Sequence, residues 1–589
     1  MTRKTTVALC VAALGLGCQA NDENVPAAGP PPVAGGTLML TGDGQTAIAS
    51  DPDRASIHVV DLSSREERHR IVLEPGDEPG RAVEGLDGRI HVVLRRAGQL
   101  LTLDRNSGAV TERRDVCGAP RGVDVHEESG DLYVACAGGE VVSLPPTGGA
   151  PRHVAKLDPD LRDIVVREAE DRLLVSRFRS AELLVVEGGE VAQRLRPPAV
   201  DGSFGGGRSM APTVAWRIRE ASDGSIFMVH QHSTSSQLGT LGRPALGNQY
   251  YGGSCATGVI RSAVTRFQLD GDGEPAVSSM AVEETSLAVD IAIDVDSSNI
   301  YLAAAAEPSP SATPTFSGVP ARAGVRRIPI SAMTPSTAPG CITGQDPFVR
   351  GEAAIGVALT PDGELVAQYR DPGQLNVVGA TDVGGDTIAM SGGRAEDLGH
   401  ALFHEAAGTG ATCAGCHPEG GDDGHVWQFD VGPRRTQTLT GGILDTAPFH
   451  WAGDVPDVEA VMDGTFVGRM GGSMPRQDEL DAFGQWVDAI PATPAPTVDR
   501  TAAERGAEVF ADAGCTGCHS GEKRTNNELA DVDTGMMVHV PALYEVAYHA
   551  PYLHDGRAPT LHDLLSMHGN TEGLTEAQRD DLAIYLESL

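Results

Sequence analysis

The stretch TGDGQTAIASDPDRASIHVVD, residues 41–61, contains the pattern that decides the fold of most of the chain. A polar Asp43-Gly44 turn precedes an apolar run at residues 46–49, and a second polar turn precedes another apolar run at residues 57–60. Short runs rich in β-branched residues between Asp, Gly and Pro are typical of antiparallel strands joined by tight turns. The stretch therefore predicts two neighbouring antiparallel strands.

Counterparts of this pair recur along residues 38–390. The first strand of each pair is expected near residues 46, 90, 132, 173, 226, 300 and 365. The early units are spaced by about 41 to 44 residues, which is the usual length of a four-stranded propeller blade. Because such a blade buries its faces only against its neighbours, we predict a closed seven-bladed β-propeller over residues 38–390. A pair of β-sandwiches is the alternative, and the regular period without a helical interruption disfavours it.

The later units contain insertions, which are predicted to be irregular. Residues 202–253 are rich in Gly and Ser, and residues 307–323 are rich in Pro, Ser and Thr. His230-Gln231-His232 lies in the first insertion, and we interpret it as surface polarity rather than as a metal site. As a class, the units resemble the YVTN or WD40-like propellers of exported bacterial proteins.

Two Cys-x-x-Cys-His motifs follow the repeats, CAGCH at residues 413–417 and CTGCH at residues 515–519. In such a motif the two thiols add across the haem vinyl groups, and the imidazole becomes the proximal iron ligand. Two covalently bound c-type haems are therefore predicted, with iron and thioether ligands at Cys413, Cys416, His417, Cys515, Cys518 and His519. A zinc site is excluded because each motif offers only two Cys and one His, with no second Cys pair nearby.

The surroundings of the two motifs also repeat. Gly399 and Phe403 precede the first motif, and Gly506 and Phe510 precede the second, each pair within a helical run. This spacing resembles the first helix of class I cytochromes c, where Gly permits a close helix crossing. Residues 491–499, rich in Pro and Ala, are predicted to link two mainly α-helical cytochrome c domains, residues 391–490 and residues 500–589.

Residues 434–439 (RRTQTL) and 550–561 (APYLHDGRAPTL) resemble the bacterial di-haem cytochrome c peroxidase/MauG-like family. The resemblance covers about the last third of the chain. It implies one six-coordinate haem that handles electrons and one haem that can open and react with peroxide, with a small redox protein as electron donor or acceptor. It also implies calcium between the domains. Both modules are shorter than the family's usual span, so the loops that build the calcium site and the peroxide pocket are the parts expected to be missing.

The resemblance further implies an axial ligand about fourteen positions beyond the His of the His-Asp-Gly motif. Counting from His554 leads to His568, with Met567 as the alternative. His568 would give the second haem two imidazole ligands. His554 itself is expected near the haem edge, and His549 and His562 are expected to face solvent.

The first haem lacks this ligand, because Thr465 occupies the matching position. Either its iron is open or a methionine binds it, and Met470, in a Gly-rich turn, is preferred over Met462 and Met474. The alternative is that these methionines only pack against the porphyrin, and His425 is a lower-ranked ligand. No catalytic residue can be assigned. Candidates for acid–base chemistry are Glu419, Asp422, Asp423, His425 and Glu459, and candidates for electron bridges or simple haem packing are Trp427 and Trp451.

The N-terminus predicts export. A basic Thr2-Arg3-Lys4 start precedes an apolar run at residues 7–17 that is too short to span a bilayer. Small residues leading into Cys18 resemble a bacterial lipoprotein box, although Gly15 stands where Leu is usual. We predict a signal peptide over residues 1–17, a lipid anchor at Cys18, a flexible tether over residues 18–37, and a periplasmic or cell-surface location.

The remaining cysteines and the net charge set further limits. In an oxidising compartment Cys117 can pair with Cys136 across neighbouring strands, which leaves Cys255 with Cys341, but the sequence does not fix this connectivity. The net charge of −36, from 81 acidic and 45 basic side chains, disfavours nucleic acid as a partner. It suits a basic redox partner, or it serves solubility alone.

Three functions remain open from the sequence. The first is a peroxidase- or MauG-like oxidoreductase. The second is an electron carrier without enzymatic activity. The third is a binding platform, in which the propeller holds a protein ligand and the haems sense it or connect it to a redox chain.

Overall fold

The computed structural model describes residues 29–589 except 202–207, 240–257, 270–274, 284, 308–322, 334–339, 343–348, 351–352, 380–384 and 409. The predicted signal peptide, Cys18 and Cys255 lie outside the described residues. No helix among the described residues is long and apolar enough to cross a membrane.

Seven antiparallel sheets form a seven-bladed β-propeller, as predicted. The strands of blades one to three are Leu38–Leu40, Thr46–Asp51, Ser56–Asp61 and Glu66–Val72; Pro79–Glu84, Ile90–Leu94, Gln99–Leu103 and Val110–Asp115; and Pro120–Val125, Leu132–Cys136, Glu140–Leu144 and Arg152–Lys156. Those of blades four and five are Leu161–Arg167, Arg172–Arg177, Leu183–Glu187 and Glu190–Leu195; and Met210–Glu220, Ile226–Thr234, Ile260–Gln268 and Ala276–Val282, with Gly340–Ile342 added in parallel. Those of blades six and seven are Ala288–Asp294, Asn299–Ala304, Gly324–Pro329 and Val349–Arg350; and Ala354–Leu359, Leu365–Tyr369, Gln374–Val378 and Asp386–Ala389.

The innermost strands of successive blades contact one another, and the ring closes where blade seven meets blade one. Close approach at this joint requires glycine. A Cβ atom on Gly356 would lie 2.8 Å from Cβ of Leu38. The two middle strands of each blade are buried on both faces, as in Ser56–Asp61, whereas the outer strand Glu66–Val72 alternates between exposed and shielded residues. The seven pairs found in the sequence are these middle strands.

One predicted disulfide is confirmed, because Cys117 and Cys136 are bonded in blade three. A different prediction was wrong. His230, Gln231 and His232 are buried in the strand Ile226–Thr234, not on the surface of a loop. This strand has nine residues and is longer than the middle strands of the other blades, and the imidazole of His230 finds a partner inside the blade, because His230 Nε2 lies 2.8 Å from Thr265 Oγ1.

The predicted tether was wrong at its C-terminal end. Residues 32–37 are buried, and they run between the propeller and the first helical module. The Gly36 amide donates to the Ile355 carbonyl, and Arg162 donates to the Ala34 carbonyl. A Pro- and Gly-rich composition allowed a flexible segment, but these tertiary hydrogen bonds fix it.

Two helical modules follow the propeller. The first contains α1 (Leu398–His404), α2 (Cys413–Cys416), α3 (Val458–Val461), α4 (Gln477–Asp488) and a hairpin of Val426–Phe429 and Gly432–Arg435. The second contains α5 (Arg500–Asp512), α6 (Leu561–Met567), α7 (Glu576–Glu587) and a short pair of Leu529–Ala530 and Val538–His539. Single turns of tighter or wider helix lie at Glu168–Glu170, Ile330–Ala332, Pro418–Gly420, Ile443–Thr446, Met462–Val467, Cys515–Gly517, Val546–Tyr548 and Gly569–Thr571.

The terminal helices of each module cross at the predicted glycines. A Cβ on Gly399 of α1 would lie 2.5 Å from the Ala482 carbonyl oxygen of α4. A Cβ on Gly506 of α5 would lie 2.0 Å from the Asp581 carbonyl oxygen of α7. The first module also shares one apolar cluster with the propeller, and that cluster includes both Trp216 and Phe403.

Candidate haem centres

The proximal imidazole of the second motif is held by the backbone. His519 Nδ1 lies 3.1 Å from the Arg524 carbonyl oxygen, so the Nδ1–H donates there and directs the lone pair to Nε2. Burial lowers the pKa of His519, which favours the neutral form that binds metal. Cys515 and Cys518 carry free thiols.

His568 meets the requirements for a ligand on the opposite side. It follows α6, and burial together with the charge of His519 lowers its pKa, so the two imidazoles lie close enough to interact electrostatically. Its Nδ1 is buried without a hydrogen-bond partner in the described part of the chain. Met567, the alternative, is 40% exposed. A neutral imidazole near the proximal histidine fits iron ligation, so the residues of the second module suit a haem.

The first motif repeats the proximal arrangement. His417 Nδ1 lies 3.2 Å from the Gly421 carbonyl oxygen, and burial lowers the pKa of the imidazole. Cys413 packs against an apolar cluster that contains Met462, Phe466 and Met470. Free thiols beside an apolar wall, with a neutral and oriented imidazole, again fit a c-type haem.

The structure separates the candidate ligands of the first haem. Met462 and Met470 are buried at 1% and 9% exposure, whereas Met474 is 43% exposed. Thr465 lies in the wide helical turn Met462–Val467. His425 is directed elsewhere, because its Nε2 lies 2.9 Å from the Thr234 carbonyl oxygen of the propeller.

His450 is a site residue that sequence reasoning missed. Burial, with a smaller contribution from the charge of His450, lowers the pKa of His417, and His450 Nδ1 lies 3.4 Å from Asp454 Oδ1. His450 has φ +65°, as Leu553 has φ +70° in the second module. The two positions correspond in the repeat. The presence of an imidazole in the first module where the second has a leucine was the signal in the sequence that could have identified His450.

Two of the acid–base candidates instead form ion pairs. Glu419 pairs with Arg95 and Arg162, and these arginines help to hold its pKa at about 2 despite burial. Asp422 pairs with Arg179, and its pKa is also lowered by neighbouring positive charges. Both carboxylates therefore stay ionised and face the propeller, which makes them poor proton shuttles.

Asp423 differs from these two carboxylates. Burial raises its pKa to about 7, Thr436 Oγ1 donates to Oδ1, and Oδ2 is buried without a hydrogen-bond partner in the described structure. Its amide donates to the Cys416 carbonyl. Glu459 is exposed. Of the five candidates, Asp423 is best suited to exchange a proton near neutral pH.

The boundary between the modules is polar and buried. Trp451 Nε1 donates to the Arg435 carbonyl, and the Arg435 amide donates to the His554 carbonyl. The rings of Trp451 and His554 lie 6.3 Å apart. Trp427 instead donates to Thr436 within the first module.

The expectation that His549 faces solvent was wrong. His549 Nδ1 lies 2.6 Å from Asp422, and Nε2 lies 3.6 Å from Glu545. These two carboxylates outweigh burial and raise the pKa of His549. His562 is largely exposed, as expected.

The described residues contain no group of three or more His, Cys, Asp or Glu that could hold a metal ion. Calcium between the modules therefore stays a prediction without a candidate ligand set.

A family model described as cytochrome c matches residues 503–589. This part of the chain is therefore a cytochrome c domain, which implies a covalently bound c-type haem and haem-based electron transfer. The match covers the second module alone. No curated protein matches the chain.

Several solved structures resemble the chain weakly. One is Kuenenia stuttgartiensis hydrazine synthase, with a TM-score of 0.46 and 14% identity over 62% of this chain and 100% of that one. A streptogramin B lyase structure has a TM-score of 0.32 and 12% identity over 59% and 94%. The dihydro-heme d1 dehydrogenase NirN in complex with DHE has a TM-score of 0.36 and 16% identity over 61% and 67%.

Proposed function

We propose that this chain is an exported di-haem c-type cytochrome that acts as a peroxidase- or MauG-like oxidoreductase. The first haem, at Cys413 and Cys416, is the reactive centre, and the second haem handles electrons. The observation that carries the proposal is that the two modules differ in the residue available to bind iron opposite the proximal histidine. His568 lies near His519 in the second module, whereas Thr465 occupies the matching position in the first.

A c-type haem bound at each motif supplies an iron that changes between the ferric and ferrous states. His417 and His519 hold the proximal positions, with their Nδ1 protons donated to backbone carbonyls. This bond fixes each ring and increases its donor strength. Met470 would be a candidate to hold the first haem weakly through its thioether, and Asp423 can hold or release a proton near neutral pH.

Electrons are proposed to cross the module boundary beside Trp451, Arg435 and His554. These three residues are joined through two backbone-carbonyl hydrogen bonds and one ring contact. The outside partner is proposed to be a small basic redox protein, since the chain has a net charge of −36. Export and a lipid anchor at Cys18 would place this exchange in the periplasm or at the cell surface.

A second candidate is electron transfer without substrate chemistry. The burial of Met470 in an apolar cluster favours it, because a methionine that stays bound would close the first iron. The binding-platform hypothesis has less propeller surface available to it, because the first module covers part of the propeller. Any protein ligand of the propeller would have to use the remaining surface.

Replacement of Met470 tests the oxidoreductase proposal. We expect Met470→Ala to increase the high-spin fraction of the first haem and to raise its rate of reaction with hydrogen peroxide, while Met474→Ala behaves like the unmodified protein. Absorption spectroscopy in both oxidation states measures this. If neither the unmodified protein nor Met470→Ala reacts with peroxide, the oxidoreductase proposal is wrong and the electron-carrier function remains.

A further inference from the structure

We infer that three arginines of the propeller position the proximal ligand of the first haem. They hold the loop of residues 417–422, whose Gly421 carbonyl accepts the Nδ1 proton of His417. The arginines are Arg95 of blade two and Arg162 and Arg179 of blade four. The inference rests on the proposed function in one respect, because it requires a haem at this motif.

The loop after His417 is a tight turn. The Gly420 amide donates to the His417 carbonyl, and the Gly421 amide donates to the Pro418 carbonyl. Glu419 has φ +56°, a left-handed conformation that is unfavourable for a residue other than glycine. Such a conformation persists when the surroundings enforce it. The contacts of Glu419 are therefore the place to look for what holds the loop.

Glu419 extends from the loop into the propeller. Its two carboxylate oxygens lie 2.6 Å from Arg95 Nη2 and 2.6 Å from Arg162 Nη1. Both arginine side chains are buried, and Arg162 belongs to the innermost strand of its blade. Arg162 also donates to the Ala34 carbonyl. The first anchor thus fixes the loop to the inner wall of the propeller.

Asp422 forms the second anchor at the other end of the loop. Arg179 Nε lies 3.1 Å from the Asp422 carboxylate and 3.0 Å from its carbonyl oxygen. Arg179 is itself held by Asp160 at 2.7 Å. Arg435 adds a contact at 3.0 Å from the side of the first module. The carbonyl of Gly421 lies between the two anchors, so both limit its movement.

The second haem motif provides a natural contrast. His519 donates to the Arg524 carbonyl within its own module. Glu522, the glutamate in this loop, is exposed, and Lys523 contacts the Gly441 carbonyl of the first module rather than the propeller. Among the described residues, propeller anchoring of this loop is therefore found only at the first motif, the one proposed to react.

The hydrogen bond to a proximal histidine tunes the metal, because a firmly held acceptor strengthens the imidazole as a donor. Loosening the loop should weaken this bond. A weaker imidazole donor stabilises ferric iron less, so the midpoint potential of the first haem should rise. The potential of the second haem should not change, since the described part of the propeller makes no such contact with its loop.

The test measures the midpoint potentials of both haems, and their stoichiometry, in full-length Glu419→Gln, Arg162→Lys and the matched control Glu522→Gln. His568→Ala identifies which spectral change belongs to the second haem. We expect an upward shift of the first haem in Glu419→Gln, a smaller one in Arg162→Lys because the charge is retained, and no shift in Glu522→Gln. If Glu419→Gln does not fold, Arg162→Lys decides.

Two results would overturn the inference: unchanged potentials in the anchor variants at full haem content, or equal shifts of both haems. The failure of the proposed function has a different signature. In that case, neither the unmodified protein nor Met470→Ala would react with hydrogen peroxide, whatever the potentials of the anchor variants, and mass spectrometry of peptides that contain Cys413 and Cys416 verifies the haem that the inference requires.

Discussion

Single side chains distinguish the two proposed haem centres. His568 was reached by counting from His554, and the structure places it near His519 with a buried, unbonded Nδ1 among the described residues. His450 was not predicted as a site residue, because the position that matches it in the second module holds the apolar Leu553. Aligning the two modules shows which positions correspond, but it does not show what a different side chain at such a position does.

Replacement of His568 tests the ligand assignment. We expect His568→Ala to change the second haem from low spin to high spin, because the substitution removes the imidazole and the neighbouring Met567 is 40% exposed. Absorption and magnetic circular dichroism spectra measure the change. His562→Ala, which alters an exposed histidine of α6, the helix that precedes His568, serves as the control. An unchanged spectrum in His568→Ala would reject this ligand.

His549 should make stability depend on pH. Its pKa is raised by Asp422 and Glu545, so the protonated form stabilises the fold. This stabilisation is fully present below the unfolded value of about 6.5 and is lost as pH rises through the folded pKa. We expect the melting temperature to fall over that interval, and His549→Gln to remove this component. Thermal unfolding across pH 6 to 9 measures it, and a pH profile identical to that of the unmodified protein would contradict the assignment.

Among the helices and strands, the first helix of each module and the middle strands of the blades are the elements that the sequence predicts best. The middle strands are buried on both faces, so they appear as continuous apolar runs. The inner and outer strands were not separately predicted, because they are short or alternate with polar residues, as Glu66–Val72 does. The strand Ile226–Thr234 was misjudged for a related reason, since its second half is polar yet buried.

The helix crossing at Gly399 can be tested directly. A Cβ there would lie 2.5 Å from both the Ala482 carbonyl oxygen and Trp486 Cβ, so α1 and α4 must separate. We expect Gly399→Ala to destabilise the protein by about 1–3 kcal/mol, as overpacking of a tight contact does. Gly464→Ala is the control, because nothing lies within 4 Å of its Cβ position. Denaturant unfolding with haem absorbance as the probe compares the two, and equal stabilities would contradict the close crossing.

At the scale of the whole molecule, the propeller and the first module form a continuous structure. They share an apolar cluster, the buried segment at residues 32–37, and the ion pairs of Glu419 and Asp422. The sequence predicted separate domains joined by short segments. It could not reveal this docking, because Arg162 and Glu419 lie far apart in the chain and neither belongs to a recognisable motif.

This continuity predicts joint unfolding. We expect the propeller and the first module to melt in one calorimetric transition, because separating them would expose shared apolar surface and leave buried charges unpaired. Weakening the docking in Arg162→Gln should move this transition to lower temperature. Calorimetry, circular dichroism of the β-strands and haem absorbance follow the parts during heating, and well-separated midpoints in the unmodified protein would contradict the prediction.

The two proposed haems are expected to differ in the iron ligand opposite the proximal histidine. The electron paramagnetic resonance spectrum of the full-length ferric protein, recorded before and after addition of hydrogen peroxide, tests this difference most directly. We expect two signals of different type. The second haem should give the low-spin signal of an iron with two imidazole ligands, and the first haem should give a distinct signal that peroxide changes. Two low-spin signals of the bis-imidazole type, both unaffected by peroxide, would contradict it.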